Sequence, residues 1–299
     1  MRARKRGSLA NSLCLFVRVH ALAHAHTRKP VHMTLVRRAW VPPPLKPAGA
    51  LQSLWQDLEP GVVHLWRLCW SRVDLPLDWL SEDERAYAQQ SQSARRRREF
   101  CTCRAAWRAV LARYYQPQAC VPQSVALART ATGKPFLQNG YVRFNTSHTR
   151  DWAVLAVTGP TSAIGCDVEH LDRRIRDPLG LARRLGLDTF QAPAPDTLAT
   201  LSQQLLLTWS EREAVAKALD VSLARIPATP QCSVVRVPVL TGQVLASIAV
   251  APAQPVKRIE AFALDTLTPA AWRTLAHAQP SGAMENATAS EQQATSPPP

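Results

Sequence analysis

Ile164-Gly165-Cys166-Asp167-Val168-Glu169 is the stretch on which the fold turns. In an extended chain it alternates, with Ile164, Cys166 and Val168 on one face and Gly165, Asp167 and Glu169 on the other. The two carboxylates then stand about 6.5–7 Å apart along the strand. Like charges that close raise each other's pKa unless a cation lies between them. The apolar face predicts a strand packed into a core, with the acids gathered on the other side. The blander reading is an edge strand with two acids in water, and these six residues alone leave the two readings even.

A second segment shifts that balance. Residues 205–219 contain strong helix formers and neither Gly nor Pro. At 3.6 residues per turn, Leu206, Trp209, Glu213 and Lys217 share one stripe, and Glu211 and Arg212 point away from it. An ordinary Glu–Lys pair four residues apart accounts for Glu213 beside Lys217. It does not account for their place on the apolar side, where charges need partners. A third carboxylate and an amine facing inward suit a divalent cation with a phosphate nearby, because Mg2+ is held by a few carboxylates, waters and phosphate oxygens.

A third segment offers phosphate contacts. Gly133-Lys134-Pro135 reads as a turn entering an extended run, and Ser147-His148 closes a short β-like run beginning at Phe144. A lysine, a hydroxyl and an imidazole suit phosphate; each alone is unspecific, and a lone histidine is more often a structural hydrogen-bonder. Upstream, residues 93–115 predict a helix whose apolar stripe is Phe100, Trp107, Leu111 and Tyr114. Arg97, Arg104 and Arg108 flank it, and a solvated basic face with snorkelling stems is the expected state of most of these arginines.

In chain order the motifs are Gly-Lys-Pro, Phe-Asn-x-Ser-His, Ile-Gly-x-Asp-x-Glu and Trp-Ser-x-x-Glu-Ala-x-x-Lys. Together, over roughly residues 60–265, they resemble the 4'-phosphopantetheinyl transferase superfamily, in particular its longer, surfactin-synthetase-activating type. The resemblance implies an α+β fold of two similar halves forming a pseudo-dimer, with the active site in the cleft between them. It implies an Mg2+-dependent enzyme that moves the phosphopantetheine arm of coenzyme A onto a serine of an acyl- or peptidyl-carrier protein and releases adenosine 3',5'-bisphosphate. It places Mg2+ on Asp167, Glu169 and Glu213, and Lys217 beside the reacting phosphates. It sets Gly133, Lys134 and Pro135 along the nucleotide, Ser147 and His148 on the coenzyme A phosphates, and Arg104 (in Arg98-x-Phe100-x-x-x-Arg104) on the 3'-phosphate. The base that takes the serine proton stays open among Glu213, a metal-bound water and another carboxylate. Two departures stand out: Arg212 replaces a frequent lysine, and residues 181–190 lack the double aromatic and following glutamate of many members, with Asp188 the nearest substitute.

The net charge of +14 first suggests nucleic acid or an anionic surface. Residues 1–46, however, hold 10 of the 36 Lys and Arg and no acid, which leaves +4 (26 basic against 22 acidic) for the remainder. The segment also carries His20, His24, His26 and His32; it reads as a disordered leader or as the product of a start upstream of Met33. Residues 55–158 and 159–268 are the expected halves, with Gly159-Pro160 at the break, and 279–299 the expected disordered tail. No apolar run reaches the ~18 residues of a membrane helix. Seven irregularly spaced cysteines form no disulfide framework, so a reduced, cytoplasmic chain is expected; the pseudo-dimer that the resemblance implies makes it a monomer. The rival functions are a coenzyme A-binding homologue without transferase activity, suggested by residues 181–190, and a basic nucleic-acid-binding protein, suggested by the leader.

Overall fold

The computed structural model describes residues 34–35, 58–114, 120–138, 141–185, 198–240 and 242–277. Asp188, the tail from 279 and residues 1–33 fall outside these. The apolar, β-branched runs form two four-stranded sheets. One joins β2 (Val62–Cys69), β5 (Arg143–Thr149), β6 (Trp152–Thr158) and β10 (Arg258–Ala263) in the order β10-β2-β6-β5. The other joins β1 (Thr34–Leu35), β7 (Ala163–His170), β8 (Ser233–Leu240) and β9 (Val244–Ala251) in the order β1-β8-β9-β7. With the helices below, the fold is mixed α+β. Pairing is antiparallel within β2-β6-β5 and β8-β9-β7, while β10 and β1 add in parallel to β2 and β8.

The same connectivity occurs twice. β2, then helices, then the β5–β6 hairpin gives the spatial order β2-β6-β5; β7, then helices, then the β8–β9 hairpin gives β7-β9-β8. Two strands cross the expected boundaries. β10 belongs to the stretch 159–268 but extends the sheet of β2, and Thr34–Leu35, within the stretch read as a leader, pairs with Val235 and Arg236 of β8.

The helices follow from local signals. Ser81 and Glu84 close a capping box at the start of α1 (Glu82–Gln89), and Ser93 caps α2 (Ala94–Leu111). The apolar stripe of α2 buries Trp107 and Leu111 against Phe144 and Leu155 of the first sheet. Just past the helix, the Tyr114 hydroxyl meets two ring nitrogens of β2, Trp66 Nε1 at 3.1 Å and His64 Nδ1 at 2.7 Å. Arg108 is buried, not solvated: it holds Glu84 at 2.5 Å and donates to the carbonyls of Pro122 and Val125 at 3.1 and 3.0 Å. β3 (Leu127–Arg129) and β4 (Pro135–Leu137) form a small hairpin whose turn needs Gly133 for its φ of +88°. After β7 come α3 (Pro178–Arg184) and the long α4 (Leu198–Leu219). A final helix, α5 (Pro269–His277), was not expected, although Thr268 before Pro269 is a helix-start signal. Arg113 fastens it by donating to the Leu275 carbonyl.

Between the sheets lies a second core. Leu65, Val154 and Ala156 from one sheet pack with Ile164, Cys166, Val168 and Ile248 from the other. The predicted apolar face of the acid strand is therefore the inner face. β5 and β7 are both sheet edges and abut without backbone pairing. Asn145 Oδ1 accepts the Cys166 N–H at 3.0 Å and Ser147 Oγ accepts the Val168 N–H at 3.3 Å, so β5 side chains satisfy the β7 edge.

α4 lies on the other face of β7. Its closest face is Leu206, Ser210, Ala214 and Ala218, one position round from the expected stripe, and Trp209, Glu213 and Lys217 sit half-buried along its flank. Small residues win that face because the helix presses directly on Gly165. A Cβ there would overlap the Ala214 carbonyl oxygen and the Ala218 amide nitrogen.

Gly165→Ala must therefore push α4 away and should cost about 1–3 kcal/mol, with faster amide exchange across 205–219. Gly133→Ala, whose Cβ meets nothing within 4 Å, should cost only about 1–2 kcal/mol from its φ and leave that exchange unchanged. Chemical denaturation with hydrogen exchange compares them. His64 gives a pH signature. Burial first, and Arg258 second, push its pKa down to about 4. Its contribution is thus complete above the ordinary histidine value of about 6.5 and is lost as pH falls through about 4. His64→Gln should flatten the loss of melting temperature over that window, read by melts at stepped pH.

Candidate active site

Gly165 lets α4 approach, and the approach carries Lys217 to the acid strand. Lys217 Nζ lies 2.7 Å from Asp167 Oδ1. Ser147, on the β5 face that meets β7, donates its hydroxyl to the same oxygen at 3.0 Å, and Lys217 Nζ is 3.5 Å from Ser147 Oγ. Three residues from three separate motifs thus share one small polar cluster. Asp167 is 7 % exposed, and its second oxygen, Oδ2, is buried without a hydrogen-bond partner.

Glu169, on the same strand face, is 6 % exposed and pairs with Arg173 at 2.6 Å. Its pKa is raised, first by burial and further by Asp167, against the pull of Arg173. Glu213 is raised in the same way, by burial first, with Lys217 opposing and Asp167 adding. For Lys217, burial works against the charge, but Asp167 and its hydrogen bond outweigh it, and the net shift is upward. Lys217 is therefore an ammonium at neutral pH. That rules out a Ser147–Lys217 nucleophile–base pair, which needs a neutral amine.

Three carboxylates here face two close cations, Lys217 and Arg173. The surplus negative charge and the orphaned Asp167 oxygen fit a hard divalent cation on oxygen ligands. The side-chain directions are those of ion pairs: Asp167 turns to Lys217 and Glu169 to Arg173, and among the described residues no three His, Cys, Asp or Glu side chains form a ligand set.

The other expected contacts divide between two places. Arg104 lines a cavity of about 540 Å³ between α1, α2 and the β3–β4 hairpin, together with Tyr87, Phe100, Arg108, Arg129 and Pro135. Its guanidinium lies 5.5 Å from the Phe100 ring centre and 3.9 Å from Glu84, and burial lowers its pKa. An aromatic wall with arginines around it suits a flat, phosphorylated ligand. Gly133 shapes the hairpin turn at the edge of this region, and Pro135 alone of the Gly-Lys-Pro motif lines the cavity.

Lys134 goes elsewhere. Its ammonium donates to the Ile164 carbonyl at 2.9 Å and the Lys217 carbonyl at 2.5 Å, tying the start of β7 to the last turn of α4. A helix C-terminus presents unpaired carbonyls and a partial negative charge, which a lysine satisfies. His148 also parts from its neighbour. Strand alternation turns it away from Ser147, and it is exposed beside Glu99 of α2 at 3.2 Å.

Sequence reasoning did not single out Asn145, Arg173 or Glu84 as neighbours of these sites. Asn145 had a signal: an amide two residues before Ser147, on the same strand face. Comparison with models of known protein families and with curated proteins finds no match.

If Lys134 holds two carbonyls, Lys134→Met should destabilise the protein by about 2 kcal/mol, because both hydrogen bonds are lost. A lysine kept for a phosphate alone would give an unchanged denaturation midpoint.

Proposed function

We propose that the chain transfers 4'-phosphopantetheine from coenzyme A to a serine of an acyl- or peptidyl-carrier protein. The observation that carries this reading is the meeting of Ser147, Asp167 and Lys217, from three motifs of the resemblance, with Glu169 and Glu213 coupled to them. The repeated β2-β6-β5 and β7-β9-β8 order supports the pseudo-dimer of two halves, with coenzyme A between them. The Arg104 cavity supports a place for its nucleotide end.

In this reaction the carrier serine oxygen attacks the phosphorus that bears pantetheine. A new P–O bond forms, the pyrophosphate P–O bond breaks, and adenosine 3',5'-bisphosphate leaves with the electron pair. Such a step asks the protein for positioning and charge more than for covalent help. Lys217, fixed as an ammonium by Asp167, supplies positive charge beside the phosphates. Ser147 anchors Asp167, so the carboxylate keeps its direction. Asp167, Glu169 and Glu213 would hold Mg2+, which when bound neutralises and polarises the pyrophosphate. Among the described residues the Glu213 side chain makes neither a salt bridge nor a hydrogen bond. Glu213 is one candidate for the group that accepts the serine proton, beside another carboxylate of the cluster.

No helix among the described residues is long and apolar enough to cross a membrane. The substrate we assign, a carrier domain, places the work in the cytoplasm, with the chain acting as a monomer.

The test uses the full chain with Mg2+, coenzyme A and a panel of apo carrier proteins, read by mass spectrometry. A carrier heavier by one phosphopantetheine is expected, and Asp167→Ala should remove the product. Coenzyme A that binds without modifying any carrier would leave a binding protein in place of an enzyme. Full turnover by Asp167→Ala would overturn the role of the acid strand.

A further inference from the structure

The β3–β4 hairpin joins neither four-stranded sheet, and of its six strand residues only Leu137 is buried. A two-stranded hairpin is marginal by itself. Its placement therefore falls largely to side chains, and two of them reach the same helix end from the turn. Thr132 donates its hydroxyl to Asp220 Oδ1, and Lys134 donates to the Lys217 carbonyl at 2.5 Å and the Ile164 carbonyl at 2.9 Å. Thr130 Oγ1 accepts the Lys134 N–H at 3.1 Å and lies 2.9 Å from Thr132 Oγ1, so these contacts form one network.

Asp220 directly follows α4 and sits at φ +57°, the left-handed position where glycine is usual. The Val221 N–H closes this helix end on the Ala216 carbonyl at 3.0 Å. The φ and the partial negative charge of the helix end both disfavour an aspartate here. Its hydrogen bond from Thr132 offsets them. Burial lowers the Lys134 pKa, and the Asp220 charge opposes that shift. Three residues before Asp220 stands Lys217, whose ammonium meets Asp167 at 2.7 Å. Leu127, Ala128, Arg129 and Pro135 of the same hairpin line the Arg104 cavity. One short hairpin thus forms a wall of the cavity and grips the last turn of α4.

We propose that this hairpin is a positioning strap: Thr132 and Asp220, with Lys134, pass the seating of a ligand in the Arg104 cavity to the last turn of α4, and so to the contact of Lys217 with Asp167. The inference rests on the transferase reading, in which that ligand is the nucleotide end of coenzyme A. Thr132 and Asp220 are positioning residues that act through Lys217. A continuous run of hydrogen bonds between two sites is the physical means by which such coupling travels.

The experiment uses the full chain with adenosine 3',5'-bisphosphate as the probe, and reads amide exchange over residues 214–219 by mass spectrometry. In the wild type the probe should slow that exchange about fivefold. In Asp220→Gly the probe should still bind and the exchange should not respond. Glycine suits the φ, so the melting temperature should hold or rise. With coenzyme A, Mg2+ and an apo carrier protein, kcat of this variant should nevertheless fall about tenfold, with little change in the KM for coenzyme A. Asp220→Asn keeps an acceptor and tolerates the φ, so it should restore both responses. Thr132→Val, at an exposed turn, should reproduce the loss, and serves where the glycine variant is unstable. Wild-type kcat and a wild-type exchange response in Asp220→Gly and Thr132→Val overturn the strap and leave the transferase reading intact. An active wild type whose exchange ignores the bound probe does the same. A wild type that modifies no carrier overturns both.

Discussion

Everything at the polar cluster depends on how closely α4 approaches β7. A helix packed on a sheet usually stands off by its side chains. Here the contact is Gly165 against the backbone at Ala214 and Ala218, so Lys217 starts close enough to reach Asp167 at 2.7 Å. Burying such a pair costs desolvation of both ions, which their attraction repays only when the geometry is good and further hydrogen bonds are made. Ser147 provides one to Asp167, and Lys134 braces the helix end by holding the Lys217 carbonyl. The glycine therefore sits upstream of the ion pair, the serine contact and the charge state of Lys217.

Several cations tie backbone segments together, and for one reason. Lys134 donates to the carbonyls of Ile164 and Lys217, Arg108 to those of Pro122 and Val125, and Arg113 to that of Leu275. Each answers backbone oxygens at the end of a helix, in a turn or on an edge strand, where the regular ladders leave acceptors unpaired. A long cationic side chain reaches such oxygens while its stem packs in the core.

The two faces of the acid strand are legible because their signal is local: alternation groups Ile164, Cys166 and Val168 on one face and Asp167 and Glu169 on the other, as in the structure. The α4 face was misplaced by one position because helical periodicity reports which residues can be inward, whereas the small side chains of Ser210, Ala214 and Ala218 decide which lie closest. The carbonyl partners of Arg108 and Lys134 come from segments apart in sequence, which no spacing rule reveals. β10 and β1 could not be placed because strand pairing across the whole chain leaves no mark on a single strand. The α5 helix, by contrast, carries a readable Thr-Pro start.

The Ser147-His148 pair shows how a motif can serve two sides of one strand. Adjacent residues in β5 point to opposite faces. Ser147 faces β7 and joins the carboxylates; His148 faces α2 and meets Glu99 at the surface. Phe144, on the His148 face, packs under α2, and Asn145, on the Ser147 face, holds the edge of β7. The strand therefore couples the packing of α2, which carries Arg104 and its cavity, to the placement of Asp167. The spacing of Phe144-Asn145-Thr146-Ser147-His148 is then set by the pleat, since a one-residue shift would exchange every partner.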